Sequence, residues 1–584
     1  MVQSTKIFAG VIALTATLAL ALPSRDGCPD LKASDFEKET LFLTAQFGDH
    51  ALPNGVAPFY NPKGEVDVLV TLYTGEVIVW EDSTKKPKVL MNLADLGANI
   101  HKHEDGVVGV ATHKNFTQNG WFYAFYIVSG KNRISRFKYD FTSKSVNKAS
   151  EAVILDFPVD MNSGNDPKYG HTGGGLSFDL NGNLWIGGGD NYQEGDQLSS
   201  EKSSACTGDL RGGILRIKPL DTYADGSKNP GKDVSYSIPQ GNFAEHYKSI
   251  SSDYSNPVKV RPELFAKGTR NAYNVHAHPT RNLVTWGDCG PDFGVEGMPW
   301  GDGETEEVNY THEPGFFGFP YFTAKNLKLN GSGSRDPNNT ISAPGTNRCP
   351  NGATLPKPKP AVAGYLWRHP KGQTPQIFTC ATAANIVSYY KDKESKGGMP
   401  PQFHDIFIAG DWGYHWVKWG RFGGAGTDGA FQSFDMNGAA FDGKTFDAPV
   451  ASTQGPDGLV YFGEHGRGGW WWTTPGSKVS RIRYKGPVIT EDCKATVKDP
   501  IIFPPVGIQA KFSSLEGLRL TGNKLLVPGT GSFTLVLRTL KGELVSEVQG
   551  LASQELSIDT KGHKVLVAQI TVGSKSYSQK LFNL

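Results

Sequence analysis

The stretch Tyr169–Asp196, YGHTGGGLSFDLNGNLWIGGGDNYQEGD, decides how the rest of the chain is read. His171 opens a run of glycines, a strand-like Leu176-Ser-Phe-Asp-Leu180 follows, and Asn181-Gly182 marks a turn. Leu184-Trp185-Ile186 then returns and ends on Gly187-Gly-Gly-Asp190. A hairpin closed by Asn-Gly brings its two ends together, so His171 and Asp190 are expected to meet at one rim of a sheet. A histidine held by a carboxylate is the pair a general base needs, because the carboxylate sets the tautomer and stabilises the imidazolium. The same residues also serve as a plain rim histidine beside a turn aspartate. The stretch alone leaves both readings open.

Working outward, the chain from about Phe36 alternates short β-rich runs with polar turns. Strands are expected at Val66–Tyr73, Glu76–Trp80, Trp121–Val128, Asn132–Tyr139, Leu184–Gly187 and Ile214–Lys218. Further ones are expected at Asn282–Trp286, Asp405–Ala409, Leu459–Phe462 and Val479–Tyr484. A turn-then-strand pattern recurs (Asn119-Gly-Trp-Phe122, Asn181-Gly-Asn-Leu184, Asp457-Gly-Leu-Val460), as does an alternating basic strand (Leu215-Arg-Ile-Lys218, Ser480-Arg-Ile-Arg-Tyr484). Such recurrence at irregular spacing, with long glycine-rich loops at 220–260, 323–360 and 420–447 and no strong helical periodicity, predicts a β-propeller with inserted loops. After about Lys485 the composition changes. Residues 491–510 read as a linker, and 511–584 as a small β-sandwich of short alternating strands such as Phe533-Thr-Leu-Val-Leu537.

Composition bounds the function. With 584 residues the chain can bury a large core, and 70 glycines with 11% aromatics suit an all-β protein rich in tight turns. A formal net charge of +1 gives no global basic field for nucleic acid. Residues 1–22 read as a secretory signal: Lys6, the apolar run Ile7–Leu22, and Ala19-Leu-Ala21 as a small-residue cleavage site, with a retained anchor as the alternative. The expected location is therefore secreted or cell-surface. Six cysteines in an exported chain predict up to three disulfides, with Cys349–Cys380 the first pairing to expect. No two of them have zinc-ligand spacing, and no covalent haem motif is present. Asn115, Asn309, Asn330 and Asn338 begin glycosylation sequons.

The ordered motifs between Glu104 and Tyr484 carry more. They are Glu104-Asp-Gly-Val-Val-Gly-Val, His171-Thr-Gly-Gly-Gly-Leu, Gly189-Asp-Asn191, Asp209-Leu-Arg-Gly-Gly-Ile and Gly268-Thr-Arg-Asn271. They continue with Trp286-Gly-Asp-Cys-Gly-Pro-Asp292, Glu306-Glu-Val-Asn309, Gly318-Phe-Pro-Tyr321, Gly410-Asp-Trp412 and Gly455-Pro-Asp-Gly458. In content and order they resemble the soluble glucose/sorbosone dehydrogenase family. That resemblance implies a six-bladed propeller, pyrroloquinoline quinone, Ca2+, a sugar or polysaccharide-derived substrate and an external electron acceptor. It implies His171 as the base for the sugar hydroxyl, Asp190 as its orienter, and Arg270 with Asn271 against the quinone, Arg270 stabilising the oxyanion. Gly290 and Pro291 match carbonyls that hold calcium, with Asp292 beside them. Glu104 stands where glucose-oxidising members place a substrate-binding glutamine. The C-terminal tail, with Lys541-Gly-Glu-Leu-Val545, resembles the sorting domain of the type IX secretion route and implies the secretion machinery as a partner.

The chain also departs from the family. A quinone with three carboxylates calls for fixed cations, which the family supplies as two arginines just before the last Gly-Pro-Asp-Gly and a lysine near the Gly-Asp-Trp strand. Here the first stretch is Ala448-Pro-Val-Ala-Ser-Thr-Gln454, without a cation. Lys418, assigned here to the cofactor, and Arg421 and Arg467 lie on neighbouring segments. Trp412 and Trp471, the latter inside Trp470-Trp-Trp472, are the candidate sugar-stacking residues, since three consecutive indoles cannot all face one core. Glu306-Glu307 reads as a loop or structural-ion element, and Leu210–Gly213 as fold geometry. Two other functions remain open on the sequence. One is a non-catalytic carbohydrate-binding propeller that has lost the cofactor; the other is a calcium-dependent lactone hydrolase with a metal-bound water.

Overall fold

The computed structural model describes residues 24–100, 106–160, 170–191, 203–220, 236–247, 259–279, 282–290, 305–320, 397–412, 415–421, 446–467 and 475–495, with shorter runs, mostly strands, between 322 and 386, at 434–435 and from 519 to 582. The signal segment, the Cys349–Cys380 pair, Glu104, Pro291, Asp292 and Trp471 lie outside the described residues. The chain divides into two units, Met1–Phe503 and Pro504–Leu584.

In the first unit the expected strands form, nearly all within a residue or two of the expected bounds. Trp121–Val128 and Glu76–Glu81 are examples. They are the second and third strands of successive antiparallel sheets. The first sheet runs Pro53–Tyr60, Val66–Leu72, Glu76–Glu81, Lys86–Asn92. The second runs Val107–Thr112, Trp121–Val128, Lys131–Asp140, Ala152–Pro158, and the third begins Gly173–Phe178, Leu184–Gly188, Gly213–Pro219, Leu264–Lys267. The fourth is Ala272–Ala277, Val284–Asp288, Thr305–Thr311, Tyr365–Arg368, and the fifth Ala381–Ile386, Ile406–Asp411, Trp416–Arg421, Phe434–Asp435. The sixth combines Pro449–Gln454, Val460–Glu464 and Lys478–Tyr484 with the N-terminal strand Phe36–Leu43. The first strand of each sheet touches the first strand of the next, and that of the sixth touches that of the first. The sheets therefore close into a ring, which is propeller architecture.

The innermost strands are among those left out of the sequence expectations, and the cause is packing. Around the axis backbones approach so closely that small residues replace the β-branched and aromatic residues that signal a strand. At Gly175, with φ of 86°, an added Cβ would lie 2.3 Å from the backbone nitrogen of Val275 on the neighbouring sheet. Farther out the sheets sandwich large side chains: Trp185, Phe265 and Trp286 share one buried cluster, and Tyr123, Phe125, Leu184 and Ile186 another. The described helices are single turns, as the missing helical periodicity led us to expect.

Two features lock the ring where its N-terminal strand meets its last sheet. Strand Phe36–Leu43 pairs antiparallel with Lys478–Tyr484, and Lys38 Nζ lies 2.8 Å from Glu464 Oε2 with both side chains buried. Burial holds the Lys38 amine below its ordinary pKa against the opposing pull of Glu464. Cys28 is bonded to Cys493, which sits in the short helix Glu491–Ala495. Residues 491–495, expected in a linker, are thus tied to the ring's N-terminal end. Cys206 and Cys289 are also in disulfides.

The second unit holds a three-stranded sheet (Arg519–Thr521, Lys524–Leu526, Glu555–Ser557) and a four-stranded one ordered Leu544–Leu551, Ser532–Arg538, Val565–Val572, Lys575–Phe582. Leu525 of the smaller sheet is buried in one cluster with Leu535, Leu537, Leu566, Ala568 and Ile570 of the larger. Their period-two spacing puts them on one face of each strand.

Candidate active site on one rim of the ring

In an antiparallel hairpin the start of the first strand lies beside the end of the second. Repeated around the ring, this rule gathers distant residues at one rim. His171 precedes the first strand of the third sheet and Asp190 follows its second; Arg270-Asn271 and Cys289-Gly290 stand likewise on the fourth sheet, and Trp412 and His465 follow the second strands of the fifth and sixth.

The hairpin places His171 Nδ1 2.8 Å from Asp190 Oδ1, nineteen positions apart as the sequence implied. The Asp190 side chain is fully buried, whereas that of His171 keeps 14% exposure. The turn is wider than a two-residue Asn-Gly turn. Asp179 closes it by pairing with Asn183, and its carboxylate accepts from the Asn181 and Asn183 backbones and from the indole N–H of Trp185 at 3.0 Å. His171 and Asn191 both adopt left-handed backbone, φ 56° each, and Asn191 N–H donates to the His171 carbonyl at 2.9 Å. Side chains rarely hold that conformation unless surrounding contacts over-determine it, and such residues concentrate at functional sites. Gly189 makes the geometry possible: a Cβ there would lie 2.0 Å from the His171 carbonyl oxygen.

The fourth sheet is sewn directly to this pair. Asp190 N–H donates to the Arg270 carbonyl at 2.7 Å, Gly189 and Asn271 form a β-bridge, and Asn271 Oδ1 accepts from Gly173 N–H at 3.1 Å. Asp288, which beside Gly290-Pro291 reads in the sequence as favouring a cation, is instead the cradle of the neighbouring backbone. Its carboxylate accepts from the backbone N–H of Arg270 and of Asn271, the latter at 2.7 Å. Burial, reinforced by Glu307 opposite it in the sheet register, pushes the Asp288 carboxyl up to about 8. Glu307, buried on the third strand of the fourth sheet, is therefore a neighbour of the site. The Arg270 guanidinium donates to the Cys289 carbonyl at 3.2 Å, beside Gly290. The sequence signal for Asp288 is a carboxylate immediately before Cys289-Gly-Pro291.

The other expected residues scatter. Trp412 is half-buried at the rim and donates from Nε1 to His465 Nδ1 at 3.2 Å. The Lys418 backbone sits on the third strand of the fifth sheet, opposite Ala409, two pairs in from the rim. Strand Pro449–Gln454 carries no cation, and Arg467 is engaged with Asp447 at 2.8 Å. Below the rim the fourth and sixth sheets are bridged across the axis by Asn274 Nδ2 to Ser452 Oγ, 3.1 Å. Among the described residues no cluster of three metal-ligating side chains occurs. A histidine–carboxylate pair and a buried arginine, on segments joined by backbone hydrogen bonds, would suit the reacting end of a quinone. They do not supply the carboxylate end with described cations.

Residues 53–238 match the family model described as Glucose / Sorbosone dehydrogenase. Among solved structures the chain is similar to an oxidoreductase (glucose dehydrogenase) from Thermus thermophilus, at 18% identity over 76% of this chain and 99% of that one, TM-score 0.46. It is similar to the apo-form of a soluble aldose sugar dehydrogenase from Escherichia coli at 17% identity, 77% and 99% coverage and TM-score 0.46. It also resembles the PQQ-bound form of an aldose sugar dehydrogenase from Streptomyces coelicolor at 16% identity, 77% and 98% coverage and TM-score 0.43. The matched segment spans the first two sheets and carries the His171–Asp190 pair, so the similarity to this family covers the part of the chain that holds that pair.

Proposed function

We propose that the rim oxidises a hydroxyl-bearing carbon of a sugar or polyol. The observation that carries this is the union of the His171–Asp190 pair with Arg270-Asn271 through shared backbone hydrogen bonds, so that a base and a cation are held in one rigid unit. Oxidation at such a carbon removes a proton from oxygen and a hydride from carbon, leaving a carbonyl. His171 takes the proton: with Nδ1–H donating to Asp190, the lone pair lies on Nε2, and the buried carboxylate stabilises the imidazolium that forms. Pyrroloquinoline quinone, when bound, supplies the two-electron acceptor for the hydride. Arg270 offers a positive charge to the acceptor's carbonyl end, oriented beforehand by the Cys289 carbonyl and by Asp288 beneath its backbone. The Gly290 carbonyl is proposed as a calcium donor, with Pro291 and Asp292 following it.

The cation-free edge at Ala448–Gln454 favours a second reading, a carbohydrate-binding propeller without a redox cofactor. Titration with pyrroloquinoline quinone in calcium, followed by dye reduction with a panel of sugars, separates the two. Saturable binding with sugar-dependent reduction that is lost in His171→Ala supports oxidation; no binding at micromolar quinone overturns it. Export to the cell surface, with the C-terminal unit as the sorting element, is part of the same proposal and rests on the N-terminal apolar run and the resemblance of the tail.

A further inference from the structure

His465 is a buried histidine that the chemistry above does not use, and both of its ring nitrogens are engaged. Nδ1 accepts from the indole N–H of Trp412 at 3.2 Å, and Nε2 lies 2.9 Å from Asn54 Oδ1. Trp412 belongs to the fifth sheet, His465 to the sixth and Asn54 to the innermost strand of the first. The chain continues into the second sheet, where Asn54 Nδ2 donates to the Val107 carbonyl at 2.9 Å. The polarity is self-consistent. Because the Trp412 nitrogen can only donate, Nδ1 carries the lone pair and the ring proton sits on Nε2, facing an amide oxygen. The backbone on both sides is pinned, with His465 N–H donating to Ala448 and the His465 carbonyl accepting from Ser477 Oγ. Burial pushes the imidazole down to about 3, so it stays neutral and its acceptor nitrogen remains available across the working range. An indole has two torsions, and one hydrogen bond at Nε1 fixes the plane of the ring.

We infer that His465 is a positioning residue that sets the Trp412 indole as a stacking platform for a sugar ring on the rim, with Asn54 fixing its tautomer. The half-buried indole stands on the sheet next to the one bearing Arg270, where a pyranose approaching His171 would present its C–H face. This rests on the sugar reading of the rim.

Two substitutions separate positioning from simple ring closure. In His465→Asn the amide oxygen reaches the place of Nδ1 and keeps an acceptor for Trp412. In His465→Gln the longer amide reaches the place of Nε2 and keeps the contact with Asn54 instead. The full-length protein, labelled with 5-fluorotryptophan, gives a 19F resonance for Trp412 that Trp412→Phe identifies, and sugars are titrated against it. The expected result is that His465→Gln moves the Trp412 resonance and raises the half-saturating sugar concentration about fivefold, the loss of roughly one hydrogen bond. His465→Asn has the smaller effect on both, and Trp412→Phe weakens sugar binding in the same direction as His465→Gln. An effect of His465→Asn equal to or larger than that of His465→Gln overturns the inference. So does a wild-type Trp412 resonance that ignores every sugar tried. Dye reduction distinguishes the two levels: sugar-dependent reduction with an inert Trp412 sinks the platform alone, and a responsive Trp412 without reduction by any sugar sinks the dehydrogenase reading alone.

Discussion

Removing the Lys38 charge should open the seam of the ring. Lys38 Nζ is 2.8 Å from Glu464 Oε2, with side chains 3% and 0% exposed. It also lies 4.1 Å from the centre of the Phe446 ring, so Lys38→Met keeps the packing of the stem and deletes only the ammonium. The carboxylate left behind retains Ser480 Oγ and the Asp447 N–H as donors, with Lys478 3.8 Å away. Breaking a buried pair on one side costs about 3–5 kcal/mol, because the surviving charge is stranded. The donors around Glu464 place this case near the lower end, about 3 kcal/mol. Glu464→Gln removes the charge facing Lys38 in turn and should cost a similar amount. The double variant Lys38→Met/Glu464→Gln should recover most of either loss, as a neutral pair carries no stranded charge. Urea unfolding followed by tryptophan fluorescence measures all four corners of the cycle. Strictly additive losses in the double variant would refute the reasoning, because they would show that the two charges do not interact across the seam.

Three other outcomes follow from the site. Asp190→Ala should lower kcat for sugar-dependent dye reduction by about 10²-fold or more with little change in KM, since the carboxylate acts through His171 rather than on sugar. Gly189→Ala forces a Cβ to within 2.0 Å of the His171 carbonyl oxygen and should abolish activity while circular dichroism still reports a folded sheet protein. Acid should destabilise the ring through His465, whose folded pKa is depressed to about 3. The unfolded chain binds a proton near pH 6.5 and the folded one does not, so this contribution is complete above about 6.5. It is lost at about 1.4 kcal/mol per unit as pH falls toward 3. The ring neighbours, Trp412 and Asn54, are uncharged and do not offset it. A His465→Asn variant whose urea midpoint falls as steeply with acid as the wild type would contradict this.

How much of this was legible in the chain depends on which strand a residue occupies. The middle strands announce themselves, as in Trp121–Val128 and Lys478–Tyr484, because alternating aromatic and β-branched residues pack between sheets. The His171–Asp190 pair was legible too, since a hairpin is local and its turn residues sit between the two ends. The innermost strands were largely not, because close approach around the axis favours glycine and alanine, which do not signal a strand. The sequence by itself therefore determined an all-β chain of short hairpins and one histidine–carboxylate pair. Tertiary structure alone decided that Asp288 cradles Arg270 and Asn271, and that Cys28 finds Cys493 across 465 positions. It alone brought Trp412, His465 and Asn54 into one hydrogen-bonded chain from three sheets. The reason is ring closure: each sheet's register is set locally, but which rims become neighbours is fixed only when the last sheet takes its fourth strand from the beginning of the chain.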